Sequence, residues 1–110
     1  MAKGGGEIAK GHLDLLLLSG LEGGPLHGYG LIDAIREKSR ATFDLPEGSV
    51  YPALHRLERE GMVASSWSKS GGRPRRIYKL TRRGRTELKK QQVEWTHFAS
   101  AINAVTGARA

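Results

Sequence analysis

Residues 48–58 run Gly48-Ser49-Val50-Tyr51-Pro52-Ala53-Leu54-His55-Arg56-Leu57-Glu58. Val50, Leu54 and Leu57 stand at i, i+4 and i+7, the spacing of one buried helical stripe. Pro52, His55, Arg56 and Arg59 fall on the opposite side, with Ser49 and Tyr51 near the entrance. Such a helix has one face for a core and one for a polar partner. Pro52 is tolerated in a first turn, where N–H groups lack intrahelical partners, so Ser49 is the expected N-cap. An earlier start would place a kink at Pro52. Gly61 is the expected stop.

Beyond that helix, Met62 to Lys69 has strand character, with Val63, Ser65 and Trp67 on one side. Ser70-Gly71-Gly72-Arg73-Pro74 reads as a turn and Arg76 to Leu80 as the returning strand. The pair is a β-hairpin tipped by glycine and arginine. Thr81 is a good N-cap for a final helix of about 24 residues. On that helix Leu88, Trp95, Phe98, Ile102 and Val105 recur at spacings of 7, 3, 4 and 3, a coiled-coil-like stripe.

Before residues 48–58, Leu31, Ile32 and Ile35 mark a second helix from about Gly28 to Ser39. Glu22-Gly23-Gly24-Pro25 separates it from a first helix, Ile8 to about Leu21, which is apolar on most sides and so central. Residues 1–7 are Gly-rich and polar, an expected flexible tail.

The chain has 110 residues, enough for one small domain. Leu, Ile, Val and Phe total 24, which allows only a small core. Phe43 and Phe98 are few aromatic helpers for it. A second subunit would supply burial that one copy lacks. With no cysteine, disulfides, thiol catalysis and Cys-ligated zinc are excluded. The longest apolar run, Leu15 to Leu18, is far short of the roughly 20 residues that span a bilayer. A soluble, cytoplasmic protein is expected, with no membrane partner. The four histidines are scattered, and no Ser/His/Asp set or carboxylate pair stands out. We therefore expect no enzyme, no cofactor and no metal site.

Net charge is +7, unevenly spread. Lys69 to Lys90 holds ten basic residues and one acid, Glu87, leaving the rest of the chain at −2. Concentrated positive charge is the footprint of polyanion binding, although a basic run also serves as a solvated face.

Helix, helix, helix, hairpin, helix is the order of a winged helix-turn-helix, a mainly α fold with a small β-hairpin wing. Its third helix enters the major groove, and its wing tip meets phosphates or a narrow minor groove. The expected organisation is the tail over 1–7, the winged helix-turn-helix over 8–80 and a C-terminal helix over 81–110.

At this point the sequence resembles the PadR family of bacterial transcriptional regulators, over about residues 12–95. The resemblance is carried by Leu26-His27-Gly28-Tyr29, by the Gly48–Glu58 run, and by Glu60-Gly61-Met62-Val63. Gly72-Arg73-Pro74-Arg75-Arg76 with Tyr78, Leu80-Thr81 and Gly84 completes it. Gly30 departs from the family pattern, which usually has a larger, often acidic residue there. The resemblance implies a homodimeric repressor of the short type, dimerising through one C-terminal helix. It implies DNA contacts from Tyr29, Ser49, Tyr51, His55 and the wing arginines Arg73, Arg75 and Arg76, to which helical periodicity adds Arg56. It also implies a phenolic or planar drug-like effector near the interface, where Trp95 and Phe98 with Leu13, Leu16 and Ile102 would form a wall.

Plainer readings stand beside these. Tyr51 and Tyr29 also suit packing, Arg56 and Arg59 also suit surface ion pairs, and Trp95 also suits dimer packing. Two other functions fit the charge: a winged helix that binds DNA or RNA without reading sequence, and a basic module that docks an acidic protein. The expected partner is an imperfectly palindromic duplex, bound by two copies about 34 Å apart.

Overall fold

The computed structural model describes residues 11–108. The tail over 1–7 and residues 8–10 of the expected first helix lie outside them; Gly11 and His12 form a turn, so the helix expected to run on from Ile8 begins at Leu13. Helix α1 covers Leu13–Gly20 and buries Leu17 and Leu18 completely, with Leu21 just beyond. Strand β1, Leu26–His27, runs straight into helix α2, Gly28–Lys38. Leu31, Ile32 and Ile35 of α2 are buried, the stripe expected from their spacing. The link to the next helix turns through Arg40 and Ala41, two non-glycine residues at φ 53° and 65°.

Helix α3 is Glu47–Arg59, with Val50, Ala53, Leu54 and Leu57 buried. It begins three residues earlier than expected. Pro46 is the N-cap, and its carbonyl accepts the N–H of Val50. Ser49 is therefore an exposed first-turn residue, not the cap. Pro52 lies inside the helix, which runs continuously past it. The carbonyl it leaves without an N–H belongs to exposed Gly48, where water can satisfy it. The helix stops at Gly61 as expected. Met62 N–H bonds to Leu57 O and Gly61 N–H to Glu58 O, a Schellman closure.

Strands β2, Val63–Ser68, and β3, Arg75–Leu80, form the antiparallel hairpin, in register from Val63↔Leu80 to Ser68↔Arg75. Gly71 and Gly72 at its tip have φ near +80°, a conformation that favours glycine. β1 pairs with the other edge of β3, so the sheet order is β1-β3-β2. This third strand was not anticipated. Two residues are too short to show any period.

Helix α4 is Arg82–Thr106. Thr81 caps it by accepting the N–H of Gly84 at 2.9 Å, and its hydroxyl donates to Gly61 O at 2.6 Å. One side chain thus ties the end of α3 to the start of α4. Gly84 is required here, because a Cβ would stand 1.9 Å from the carbonyl oxygen of Met62.

The core lies between α1, α2, α3 and the inner sheet face, where Tyr78 supplies its large ring. Phe43 packs against the edge of this core, but Phe98 does not join it. Leu88 is the last buried residue of α4. Among the described residues, no helix is long and apolar enough to cross a membrane.

Candidate nucleic-acid interface

The outward face of α3 carries Gly48, Ser49, Pro52, His55 and Arg59, all exposed. Its buried stripe packs on α1 and α2, so this face is held rigidly outward. Tyr51 sits on the flank towards α2, half-buried over Gly28. A Cβ on Gly28 would meet the Tyr51 hydroxyl at 2.3 Å, so the missing side chain makes room for the phenol. Tyr29 is exposed, stands edge-on to Tyr51 and donates its hydroxyl to Glu47 Oε1 at 2.9 Å. Hydrogen bonding to Glu47 and the charge of that carboxylate raise the Tyr29 phenol above its ordinary pKa. Burial, then Glu47, does the same for Tyr51. Both therefore stay neutral hydroxyls near neutral pH, able to donate or accept.

The arginines divide into two groups. Arg56 turns towards α1, where it pairs with Asp14, and also reaches Glu60 at 3.3 Å. Its hydrogen bond to Asp14 raises its pKa. Arg76 donates to Ser65 Oγ at 2.9 Å, lies 3.8 Å from Glu58 and covers the exposed ring of Trp67. Ser65 in turn donates to Glu58 at 2.6 Å. Both guanidinium groups are partly neutralised by carboxylates. Arg73 and Arg75 of the wing are exposed and lack any acidic partner among the described residues. The structure thus brings Tyr29, Ser49, Tyr51 and His55 together around α3, with Arg75 reaching His27 at the start of α2 and Arg73 exposed at the wing tip. Arg56 and Arg76 are committed elsewhere. Glu47 and His27 were not singled out from the sequence; the signal available for each was its place beside Gly48 and Gly28 in the quoted runs.

On another side, an open cleft of about 590 Å³ lies between the start of α1 and the middle of α4. Leu13, Trp95 and Phe98 line it together with Asp14, Glu87 and Glu94. The His12 ring meets Trp95 edge-on at 4.9 Å, and Phe98 lies 5.8 Å from Trp95. Arg56 also reaches this cleft. Leu16 packs against the core and Ile102 stands exposed further along α4, so neither is in the cleft wall. Among the described residues, no cluster of side chains could hold a metal ion.

A three-helix core, a small sheet with a basic wing and an outward third helix define a winged-helix regulator rather than an enzyme. The sequence pattern of the transcriptional regulator PadR-like family matches residues 17–90, and the chain belongs to that family. It is 40% identical over 63 residues to the transcriptional regulator Rv3488 of Mycobacterium tuberculosis, covering 57% of this chain and 56% of that one. A solved transcriptional regulator from Clostridium thermocellum superposes with a TM-score of 0.80 at 28% identity, covering 89% of this chain and 93% of that chain. Bacillus subtilis PadR, solved in complex with operator DNA, gives a TM-score of 0.67 at 26% identity, over 74% of this chain and 46% of that chain.

Proposed function

We propose that this chain is a homodimeric, sequence-specific DNA-binding repressor of the cytoplasm, released from its operator by a flat aromatic effector. The observation that carries the reading is the separation of two surfaces. The face of α3 and the wing is polar and basic, whereas α4 exposes Trp95, Phe98, Ile102 and Val105 in one apolar stripe. A chain with both surfaces uncovered needs a polyanion for one and an apolar partner for the other. An imperfect palindrome requires that pairing of two α4 helices set two α3 helices about one helical turn of DNA apart. Ser49, Tyr51 and His55 then read base edges, and Tyr29, Arg73 and Arg75 hold backbone.

The cleft beside Trp95 supplies the effector site. Three carboxylates line it, and its one guanidinium is already paired, so a planar cation suits it better than a phenolate. Such a ligand releases DNA only by binding the DNA-incompetent arrangement of the dimer more tightly. On this reading the described residues up to Leu80 are the DNA-binding unit and α4 is the dimerisation helix.

Sedimentation equilibrium of the wild type and of Phe98→Asp tests the assembly. We expect a wild-type dimer and a folded Phe98→Asp monomer that binds duplex weakly and without cooperativity. A wild-type monomer that still binds DNA tightly would remove the dimer from the account.

A further inference from the structure

Strand β1 sets His27 opposite Ile77 on the central strand. Arg75, two residues back along β3, lies on the same sheet face as Ile77. His27 Nδ1 accepts the backbone N–H of Gly30 at 3.1 Å and so caps α2. A Cβ at Gly30, the family departure, would stand in ordinary contact with this ring at 3.4 Å. Accepting that bond uses the Nδ1 lone pair, so the proton of the neutral ring is on Nε2. Nε2 lies 3.0 Å from Nη1 of Arg75. A guanidinium only donates. Two N–H donors therefore face each other at hydrogen-bond distance, and neither satisfies the other. The opposite tautomer moves the conflict to the N–H of Gly30, which has no carbonyl partner in the first turn of α2. Arg56 and Arg76 have carboxylates beside them, but among the described residues His27 and Arg75 have none. Tyr29, two residues on, links this corner to the first turn of α3 through Glu47.

We propose that His27 Nε2–H and the Arg75 guanidinium form a two-donor clamp for one backbone phosphate of bound DNA, at the foot of the wing. A phosphodiester oxygen accepts from both donors at once and offsets the charge of Arg75, which resolves the contact. The site rests on the DNA-binding reading. It adds a register-setting contact that is independent of the α3 face and of the wing tip.

The test uses the full chain, fluorescence anisotropy and two duplexes, one from upstream of its own gene and one scrambled, across a series of KCl concentrations. His27→Asn keeps a side-chain acceptor for the α2 cap but lacks the Nε2 donor. It should weaken binding to both duplexes by the same factor, about 10-fold. Arg75→Gln does not touch the cap. It should weaken both duplexes and lower the slope of log affinity against log salt by about 1 per protomer. Combining the two should add little, because both donors serve one phosphate. His27→Asn that binds as tightly as wild type would reduce His27 to a cap and overturn the clamp. A loss confined to one duplex would mean base reading and overturn it equally. Wild type that binds neither duplex removes the regulatory reading and the clamp together, whereas wild-type binding with a silent His27→Asn removes the clamp alone.

Discussion

Between Arg82 and Leu88, α4 is part of the folded core, whereas between Val93 and Val105 its apolar side chains stand in solvent. Leu88 is 2% exposed; Trp95 is 41% exposed, Phe98 52% and Val105 87%. One continuous helix, with one apolar stripe, thus has two environments. Local propensity does not explain the difference. The inner half lies against the sheet and α1, whereas the outer half meets the described chain at the start of α1, where His12 touches Trp95, and its apolar side chains stay largely in solvent. The inner half contributes to folding of one copy. The outer half contributes only when something covers it, at roughly 25 cal/mol per Å² of apolar surface removed from water.

The largest effects test this contrast directly. Leu88→Ala should cost about 2–5 kcal/mol of unfolding free energy, the price of a cavity in a packed core. Urea denaturation followed by circular dichroism measures it, and the loss should not depend on protein concentration. Ile102→Asp should instead leave the monomer folded and abolish the concentration dependence of its melting temperature. If Ile102→Asp unfolds the chain at high dilution as Leu88→Ala does, the two halves are not distinct.

Arg56 gives an intermediate effect. It joins the outward helix α3 to α1 through Asp14, at about one-third exposure on both sides. Asp14→Asn should cost about 1 kcal/mol, less than a buried pair because water screens it, and the cost should shrink in high salt. A cost that salt does not change would assign Asp14 to packing instead.

Alkaline titration gives a smaller effect. Tyr78 is raised mainly by burial, and Tyr29 and Tyr51 are raised as well. The folded chain holds these protons more tightly than the unfolded chain. Their contribution is complete below the ordinary tyrosine value near 10 and is lost as pH climbs through the raised folded values. Absorbance at about 295 nm should show tyrosinate forming later in the native chain than in urea. The smallest expected change is a gain. Arg40 and Ala41 hold left-handed backbone without being glycine, so Arg40→Gly should stabilise the chain by about 0.5–1 kcal/mol in the same denaturation.

Much of this architecture was legible in the sequence. The stripes Val50-Leu54-Leu57 and Leu31-Ile32-Ile35, the Gly61 stop and the Thr81 cap each rest on contacts within a few residues. So does the outward position of His55. What was not legible depends on distant partners. Arg56 and Asp14 are 42 positions apart, and no spacing rule foretells that the guanidinium leaves the outer face for α1. Arg76 turns to Ser65 and Glu58 for the same reason. β1 exists only because β3 offers a free edge to Leu26 and His27. Ser49 loses the cap because Pro46, with φ preset near the value a cap needs, starts α3 first.

The most direct measurement is the affinity of the purified chain for the duplex upstream of its own gene, beside a scrambled duplex of equal length, at several salt concentrations. A preference of about 10³-fold or more for the upstream duplex is expected, because specific sites exceed non-specific DNA by at least that factor. Equal affinity for both with a steep salt dependence would contradict it, leaving the wing and α3 as an electrostatic clamp that reads no sequence.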